Sequence, residues 1–284
     1  VVMTQHLIPP TDYGMVQQQA LASTCKVDGL DIQLYQWGQS EPCVVLLHGG
    51  YGSWAHWIRV IPKLQAYATV IAPDMPGFGQ SDSPPEPHSA ESVARPLAEA
   101  IRQQVGDRAL ILAGFSFGGA IAGHVASLLA EQIKHLVLLG PGGTGAPRGT
   151  MPELVRRTPE MSRDQIRQAH RRNLEILMVK DPSCIDDLAL YIQETNTRMH
   201  RLKSRPISAT NTLVRALSGV TFPVTVVFGE FDASVGEYRS EREAILRRVV
   251  PQVSIEVISG AGHWVMWERD EWVANQLIHL ISSP

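Results

Sequence analysis

The stretch "LILAGFSFGGAIAG", residues 110–123, joins a run of aliphatic residues to a glycine-rich segment through one serine, Ser116. The first five residues are apolar and end at a glycine, which is typical of a strand buried on both faces of a sheet. The residues after the serine are small enough for a helix to pack closely on that sheet. We therefore predict a strand, a sharp turn at Ser116 and a helix, the context in which a G-x-S-x-G motif presents a nucleophile.

The same alternation of strands and helices continues along the chain. Short apolar runs predict buried strands at residues 43–48, 69–73, 110–114, 136–140, 224–229 and 253–258, and a period-two stretch predicts an outer strand at 31–37. The sequence pattern predicts helices at residues 54–66, 89–105, 117–130, 237–249 and 268–281. This order predicts an α/β fold, with a mostly parallel, doubly wound sheet and helices on both faces.

The alternation is interrupted once. Residues 143–218 hold no buried-strand run and read as helices, so we predict an N-terminal arm at 1–24, a core in two parts at 25–142 and 219–284, and a helical cap at 143–218. Between Arg148 and Arg215 there are 13 Lys and Arg against 8 Asp and Glu, a net charge of +5. This charge indicates either solvated helix faces or a cap whose field attracts an anionic substrate.

Composition limits the class of protein. The net charge of −3 argues against nucleic-acid binding, and no apolar run is long enough to span a membrane. Residues 1–20 lack the pattern of a signal peptide, so we expect a cytoplasmic protein. Cys25, Cys43 and Cys184 are scattered, without a CxxC pair, and indicate neither a zinc site nor a disulfide framework. We expect no metal or cofactor and a small-molecule partner; a homo-oligomer stays open.

The predicted nucleophile needs a base and an acid. A serine hydroxyl attacks only when a histidine takes its proton, and the histidine needs a carboxylate to fix its tautomer. On a sheet of this kind the partners follow the serine in the order acid, histidine, each beyond a strand end. Asp232 follows the strand "VTVVFG", and His263 follows "VSIEVI" in a glycine-rich turn. Glu230 competes with Asp232 for the role of acid. Asp74 precedes the serine, and we predict that it braces a loop.

Backbone donors are expected beside the serine. The segment "HGGYGSW" follows the strand at 43–48, and an N–H near Gly50, together with that of Phe117, is predicted to form an oxyanion hole. His48 itself is predicted to be a structural hydrogen-bonding residue. The glycines of residues 140–145 match G-x-G-x-x-G, but prolines follow at once, so no helix opens there to bind a dinucleotide.

Taken together, these residues resemble the α/β-hydrolase family. The resemblance extends from Cys25 to Ile281 and rests on "HGGYG", "PDMPGFGQSD", "GFSFGG" and the pair of Asp232 with "GAGHW". Within the family, "LVLLGPGGTG" and "GHWVMWERDEW" resemble the meta-cleavage-product hydrolases, which cut carbon–carbon bonds in vinylogous 1,5-diketone acids. This resemblance implies that Trp264 lines the pocket and that Gly50 and Phe117 supply the oxyanion hole.

The chain departs from that subfamily at three places. Phe115 stands where the subfamily usually has an asparagine, and bulky Tyr51 stands in a turn of small residues. The stretch that should carry a cap arginine offers only Arg198, out of register. Phe115 and Tyr51 are therefore expected to contact the substrate in a smaller, more apolar pocket.

These patterns predict a serine hydrolase, carboxylesterase-like, that acts through an acyl-enzyme on a small carboxylic ester or related acyl substrate, with an anionic group favoured by the cap. Two alternatives stay open. One is a carbon–carbon bond hydrolase of the meta-cleavage-product type, and the other is a receptor of hydrolase fold with negligible turnover.

Overall fold

The strands of the sheet lie where the apolar runs occur in the sequence. The computed structural model describes residues 7–283, and its strands are β1 (Leu21–Val27), β2 (Leu30–Trp37), β3 (Cys43–Leu47), β4 (Thr69–Pro73), β5 (Leu110–Phe115), β6 (Ile133–Leu139), β7 (Val224–Gly229) and β8 (Ser254–Ile258). Their order across the sheet is β1-β2-β4-β3-β5-β6-β7-β8. The β1–β2 and β2–β4 pairs are antiparallel, and the other pairs are parallel. The predicted α/β fold is confirmed.

Helices cover both faces of this sheet. They are α1 (Thr11–Gln18), α2 (Ile61–Leu64), α3 (Ala90–Val105), α4 (Phe117–Leu128), α5 (Arg163–Leu177), α6 (Asp187–Met199), α7 (Arg205–Ser208), α8 (Thr212–Leu217), α9 (Arg239–Val249), α10 (Val265–Glu268) and α11 (Asp270–Ser282). Along β3, Val45 and Leu47 join one hydrophobic cluster, with residues of α3, α4, α8 and α9, whereas Val44 and Leu46 join a second one, with α11 and the tryptophans. This alternation explains why the strand is apolar at every position: both of its faces are buried.

The N-terminal part is more ordered than the predicted arm. Residues 11–18 form α1, whose Tyr13 ring packs 5.2 Å from Trp54 and 4.8 Å from Tyr191. Strand β1 begins at Leu21, so the sheet starts four residues before the predicted boundary at Cys25. Exposed residues alternate along β1, which hides it from a search for apolar runs. Residues 1–6 of the predicted arm and residue 284 lie outside the described part of the chain.

Two other predictions need correction. The helix expected at 54–66 is broken: Ser53 caps a short 3₁₀ turn at Trp54–Trp57, and α2 starts again only at Ile61, with Pro62 in its first turn. Strand β8, which pairs only with β7 and forms the edge of the sheet, is not buried on both faces. Its exposed residues include Ser254 and Glu256.

The predicted cap region carries helices. Between β6 and β7 the described chain has no strand and contains α5 to α8. In the range 7–283, no helix combines the length and apolar character needed to cross a membrane. Because β3 to β8 run parallel, their carboxyl ends meet at one edge, where the loops after β3, β5, β7 and β8 come together.

Candidate active site

Ser116 sits at a strained turn between β5 and α4. Its φ is 55° and its ψ is −115°, a backbone conformation that residues other than glycine rarely adopt. The turn depends on close backbone approach: a Cβ at Gly114 would lie 2.4 Å from the carbonyl oxygen of Gly118, and a Cβ at Gly118 would lie 2.2 Å from that of His48. The glycines on both sides of the serine therefore permit a bend that a larger residue would block.

The structure brings Ser116, His263 and Asp232 together. The Oγ of Ser116 lies 2.9 Å from Nε2 of His263, and the Nδ1 of the same ring lies 2.8 Å from Oδ2 of Asp232. Each residue comes from a different strand end, after β5, β8 and β7 respectively. His263 and Asp232 are buried and Ser116 is partly exposed. This arrangement is the serine–histidine–acid geometry that activates a hydroxyl.

The Asp232 carboxyl is held as an anion. Burial alone would raise its pKa, but the charge and hydrogen bond of His263 and two hydrogen bonds from Ser234 hold the pKa below its ordinary value. The Ser234 N–H and hydroxyl donate to Oδ1 of Asp232 at 2.9 and 2.7 Å. The other carboxylate oxygen, Oδ2, is thereby left to accept the hydrogen bond from His263.

The two predicted oxyanion-hole donors are the backbone amides of Phe117 and Gly50. Phe117 is the first residue of α4, where amide N–H groups have no acceptor within the helix. Gly50 follows β3, and a Cβ there would lie 3.5 Å from Cβ of Phe117. Within residues 7–283, no protein acceptor takes the N–H of Gly50 or Phe117. Both N–H groups thus lack a protein acceptor in the described part of the chain, and their role as an oxyanion hole stays a prediction.

His48 and Asp74, two more titratable groups at this edge, are bonded to backbone groups. His48 bonds to the carbonyl of Gly49 through Nδ1 and accepts the Met75 N–H at Nε2, at 2.7 and 2.9 Å. Burial lowers the pKa of His48 to about 4, so the ring is neutral at pH 7. Asp74 accepts the N–H groups of Trp54 and Gln80 at 3.0 and 2.9 Å and so braces two loops.

The three predicted substrate-contact residues, Phe115, Trp264 and Tyr51, differ in how far they are buried. Phe115 and Trp264 are each 1% exposed and offer a substrate almost no surface. The Phe115 ring packs 4.8 Å from His263, while Trp264 stacks at 4.4 Å on Trp267 and donates its indole N–H to the carbonyl of His56. In the structure both rings pack beside the histidine and its loop, and their expected role in lining a pocket stays a prediction. Tyr51 is 37% exposed, adopts a φ of 55° and packs 4.5 Å from His200.

The competing acid and the candidate cap arginine are both occupied elsewhere. Glu230 accepts the hydroxyl of Ser259 and the N–H of Gly260, both at 2.9 Å, in an exposed loop. Arg198 forms an ion pair with Glu194 one turn earlier on α6. Neither is bonded to the histidine or the serine.

The glycine-rich segment after β6 closes over the acid. Gly140 has a φ of 50°, and a Cβ there would lie 2.7 Å from Oδ2 of Asp232. The segment from 141 to 147 is anchored by Arg242 of α9, a buried side chain that donates to the carbonyls of Pro141 and Pro147 and to that of Ser234. No helix starts between residues 140 and 147, and the glycines lie in the turn over Asp232.

The loop that carries His263 is tied to the helical insertion. Oε1 of Glu268 accepts the N–H groups of Lys180 and Asp181 at 2.9 Å each, and Oε2 accepts that of Gly262 at 2.6 Å. The N–H of Trp264 also donates to the carbonyl of Met178 at 2.6 Å. The chain after α5 and the turn before the histidine are thus one hydrogen-bonded unit.

Ser234 and Arg242 were not identified from the sequence. Asp232-x-Ser234 is the spacing of an Asx-turn, in which an aspartate accepts the N–H two residues on, and this was the available signal. Arg242 lies on a charged helix and offers no such signal. Among residues 7–283, no group of His, Cys, Asp and Glu side chains is arranged to hold a metal ion.

Comparison with known proteins gives consistent matches. The profile of the alpha/beta hydrolase fold matches residues 42–270. A 2-hydroxy-6-oxo-6-phenylhexa-2,4-dienoate hydrolase from Burkholderia cepacia is 29% identical over 256 residues, which are 84% of this chain and 86% of that protein. A 2-hydroxy-6-oxo-2,4-heptadienoate hydrolase from Pseudomonas putida is 39% identical over 119 residues; this match spans 40% of the chain and only 42% of the relative's length.

A solved structure shows the same fold. The meta-cleavage product hydrolase from Pseudomonas fluorescens superposes with a TM-score of 0.69 at 22% identity, covering 91% of this chain and 96% of that one. The similarity to meta-cleavage-product hydrolases expected from the motifs is confirmed.

Proposed function

The chain belongs to the alpha/beta hydrolase fold family and is a hydrolase of that fold, and from this premise we propose that it transfers an acyl group to water through Ser116. The observation that carries the proposal is the continuous pair of contacts, 2.9 Å from Ser116 to His263 and 2.8 Å from His263 to Asp232. The strained φ of the serine supports it, since strain of this kind concentrates at functional sites.

The reaction follows from these positions. Ser116 Oγ attacks the substrate carbonyl carbon while Nε2 of His263 takes the hydroxyl proton, and the carbonyl oxygen becomes an oxyanion. The amides of Gly50 and Phe117 donate to that oxygen, and removing one such donor costs about 3 kcal/mol of transition-state stabilisation. His263 then gives its proton to the leaving group, which leaves an acyl-serine.

Water completes the cycle in the reverse sense. His263 takes a proton from a water molecule, whose oxygen attacks the acyl carbon, and the proton returns to Ser116 as the acid is released. Asp232 stays ionised throughout and stabilises the imidazolium at Nδ1. Its pKa, held low by its hydrogen-bond partners, is consistent with that role.

A small carboxylic ester is our leading substrate class. Arg198 is paired with Glu194, and Phe115 occupies the position where the carbon–carbon hydrolases usually carry a polar residue. The headgroup contacts of a diketone acid are therefore reduced. The excess of positive charge between residues 148 and 215 favours a substrate that carries an anion, and this preference should weaken with salt.

Carbon–carbon bond hydrolysis is the second candidate. It is favoured by the relatives from Burkholderia cepacia and Pseudomonas putida, which are named as hydrolases of 2-hydroxy-6-oxo dienoates. The same triad would serve, with the enolate fragment as leaving group in place of an alkoxide.

The test compares the two substrate classes on one enzyme. We would measure kcat/KM for 4-nitrophenyl butyrate, for 4-nitrophenyl hemisuccinate and for a coloured 2-hydroxy-6-oxo dienoate. Ser116→Ala should lower kcat on the preferred substrate by about 10⁶-fold. Ser259→Ala, at a loop serine whose hydroxyl donates to Glu230, should have no effect.

The outcomes separate the candidates. An ester preference supports the leading proposal, and bleaching of the dienoate with no ester advantage supports the second candidate. A Ser116→Ala variant within tenfold of the parent contradicts serine catalysis altogether. If a fluorophosphonate probe fails to label Ser116, as mapped by mass spectrometry, a ligand receptor without turnover replaces both.

A further inference from the structure

One side chain near the triad has a position that the acyl-transfer scheme does not use. The hydroxyl of Ser234 donates to Oδ1 of Asp232 at 2.7 Å, and the same oxygen lies 3.1 Å from Nδ1 of His263. Because the hydroxyl proton is directed at the carboxylate, the oxygen presents its lone pairs toward the histidine. The Nδ1 proton of His263 therefore has two acceptors, the carboxylate at 2.8 Å and this hydroxyl.

The hydroxyl is fixed by its own backbone. The N–H of Ser234 donates to Oδ1 of Asp232, and the N–H groups of Val235 and Gly236 donate to the Asp232 carbonyl at 3.1 and 2.8 Å. The Ser234 carbonyl accepts the Gly149 N–H at 3.1 Å and a guanidinium N–H of Arg242 at 3.4 Å. The turn at residues 232–236 is thus held by its own hydrogen bonds and by bonds from Gly149 and Arg242.

We propose that Ser234 is a positioning residue of the active site, which orients Asp232 and shares the Nδ1 proton of His263 with it. The inference rests on the proposed acyl transfer and deepens it. During the reaction His263 becomes an imidazolium, and a second acceptor at Nδ1 stabilises that cation beyond the carboxylate alone. The donor bond to Oδ1 stops the carboxylate from rotating away from the ring.

Few other charged or titratable groups face this pair. His56, from the turn after β3, interacts with His263, and burial together with the charges of His48 and His263 holds the pKa of His56 well below its ordinary value. On the acid side, Arg148 and Arg242 are close enough to interact with Asp232. None of these groups bonds to Nδ1, so the Ser234 hydroxyl is the direct partner that a point substitution can remove.

The chain contains a matched control. Ser259 donates its hydroxyl to Oε2 of Glu230 at 2.9 Å, which is the same kind of bond in a neighbouring strand-end loop. In the described residues, the Glu230 carboxylate accepts from Ser259 and Gly260 and forms no hydrogen bond with a histidine. Ser259→Ala therefore deletes a serine–carboxylate bond without touching the triad.

The experiment uses the full chain and compares Ser234→Ala, Ser234→Thr and Ser259→Ala. Ser234→Ala should lower kcat about 10- to 30-fold with KM little changed, since one hydrogen bond to charged groups is lost. The acidic limb of the kcat/KM profile, which reports the free enzyme's base, should move to lower pH by about half a unit. Ser234→Thr should restore both to near the parent, and Ser259→Ala should change neither.

A readout without turnover separates this inference from the proposed function. The proton NMR resonance of the His263 Nδ1–H should shift in Ser234→Ala and stay in place in Ser259→Ala. If the parent hydrolyses no acyl substrate but the resonance shifts, the proposed function fails and the positioning contact stands. If Ser234→Ala leaves the resonance and the acidic limb unchanged, or if Ser234→Thr does not restore kcat, the inference is overturned.

Discussion

Two buried aspartates at the same edge of the sheet differ in what surrounds them. Asp74 directly follows β4 and Asp232 follows β7, and each is 3% exposed or less. Asp232 is hydrogen-bonded to His263 and Ser234. Asp74 accepts hydrogen bonds from the backbone amides of Trp54 and Gln80.

The pKa of each carboxyl records this difference. Burial raises the pKa of Asp74 to about 6, although the two amide bonds oppose the rise. Burial acts in the same direction on Asp232, but His263 and Ser234 overcome it and the pKa falls below its ordinary value. Depth alone therefore does not set the charge of a buried carboxyl, because its hydrogen-bond partners decide which protonation state is stable.

The largest expected effect is on catalysis at Asp232. Asp232→Asn keeps the size of the side chain but favours the wrong tautomer of His263, so kcat should fall by about 10⁴-fold. The measurement is steady-state turnover of the preferred substrate. Asp74→Asn, the matched substitution at the other aspartate, should leave kcat within about fivefold of the parent; equal losses in the two variants would erase the distinction.

The next effect is on stability as a function of pH. The folded-state pKa of Asp74 is about 6, above its unfolded value of 3.8, so the unfolded chain releases its proton first as pH rises. The parent should lose about 2 to 3 kcal/mol of unfolding free energy relative to Asp74→Asn between pH 4 and pH 7. Urea unfolding of both proteins across that range measures the difference. A constant difference would show that Asp74 does not titrate there.

A smaller loss is expected from the substitution itself. An asparagine at position 74 has one acceptor oxygen for two amide donors, so the N–H of Trp54 or of Gln80 loses its partner. The unfolding free energy at pH 7 should fall by about 1 to 3 kcal/mol. Denaturant unfolding at fixed pH checks this, and an unchanged midpoint would mean that the loops do not depend on the carboxylate.

The smallest effect is expected at Glu230, a third carboxylate near the same edge. It is exposed and bonds to Ser259 and Gly260, so Glu230→Gln should leave the unfolding free energy close to that of the parent and change kcat by less than about threefold. Parallel assays with Asp232→Asn provide the comparison. A loss near that of Asp232→Asn would reassign the acid.

The sequence was enough to predict the sheet and to bring Ser116, His263 and Asp232 to one edge. Buried parallel strands are apolar at every position, and their ends converge, so the order of three loops indicates one site. Strand β1 was not predicted, because exposed residues interrupt its apolar pattern.

Contacts that depend on side-chain direction could not be predicted. Whether Phe115 faces a substrate or the back of His263 is decided by the turn at Ser116, which reverses the chain at a positive φ. Arg242 looks like a solvent-facing residue of a charged helix, but it lies under the segment that closes over the acid.

Glu268 couples the position of the helical insertion to that of His263. Its carboxylate bonds the chain after α5 to the turn that precedes His263, and Met178 holds Trp264 directly. Residues 178–181 cannot swing outward and leave the base in place unless these bonds break. Displacing that end of the insertion would therefore either move His263 or break these hydrogen bonds.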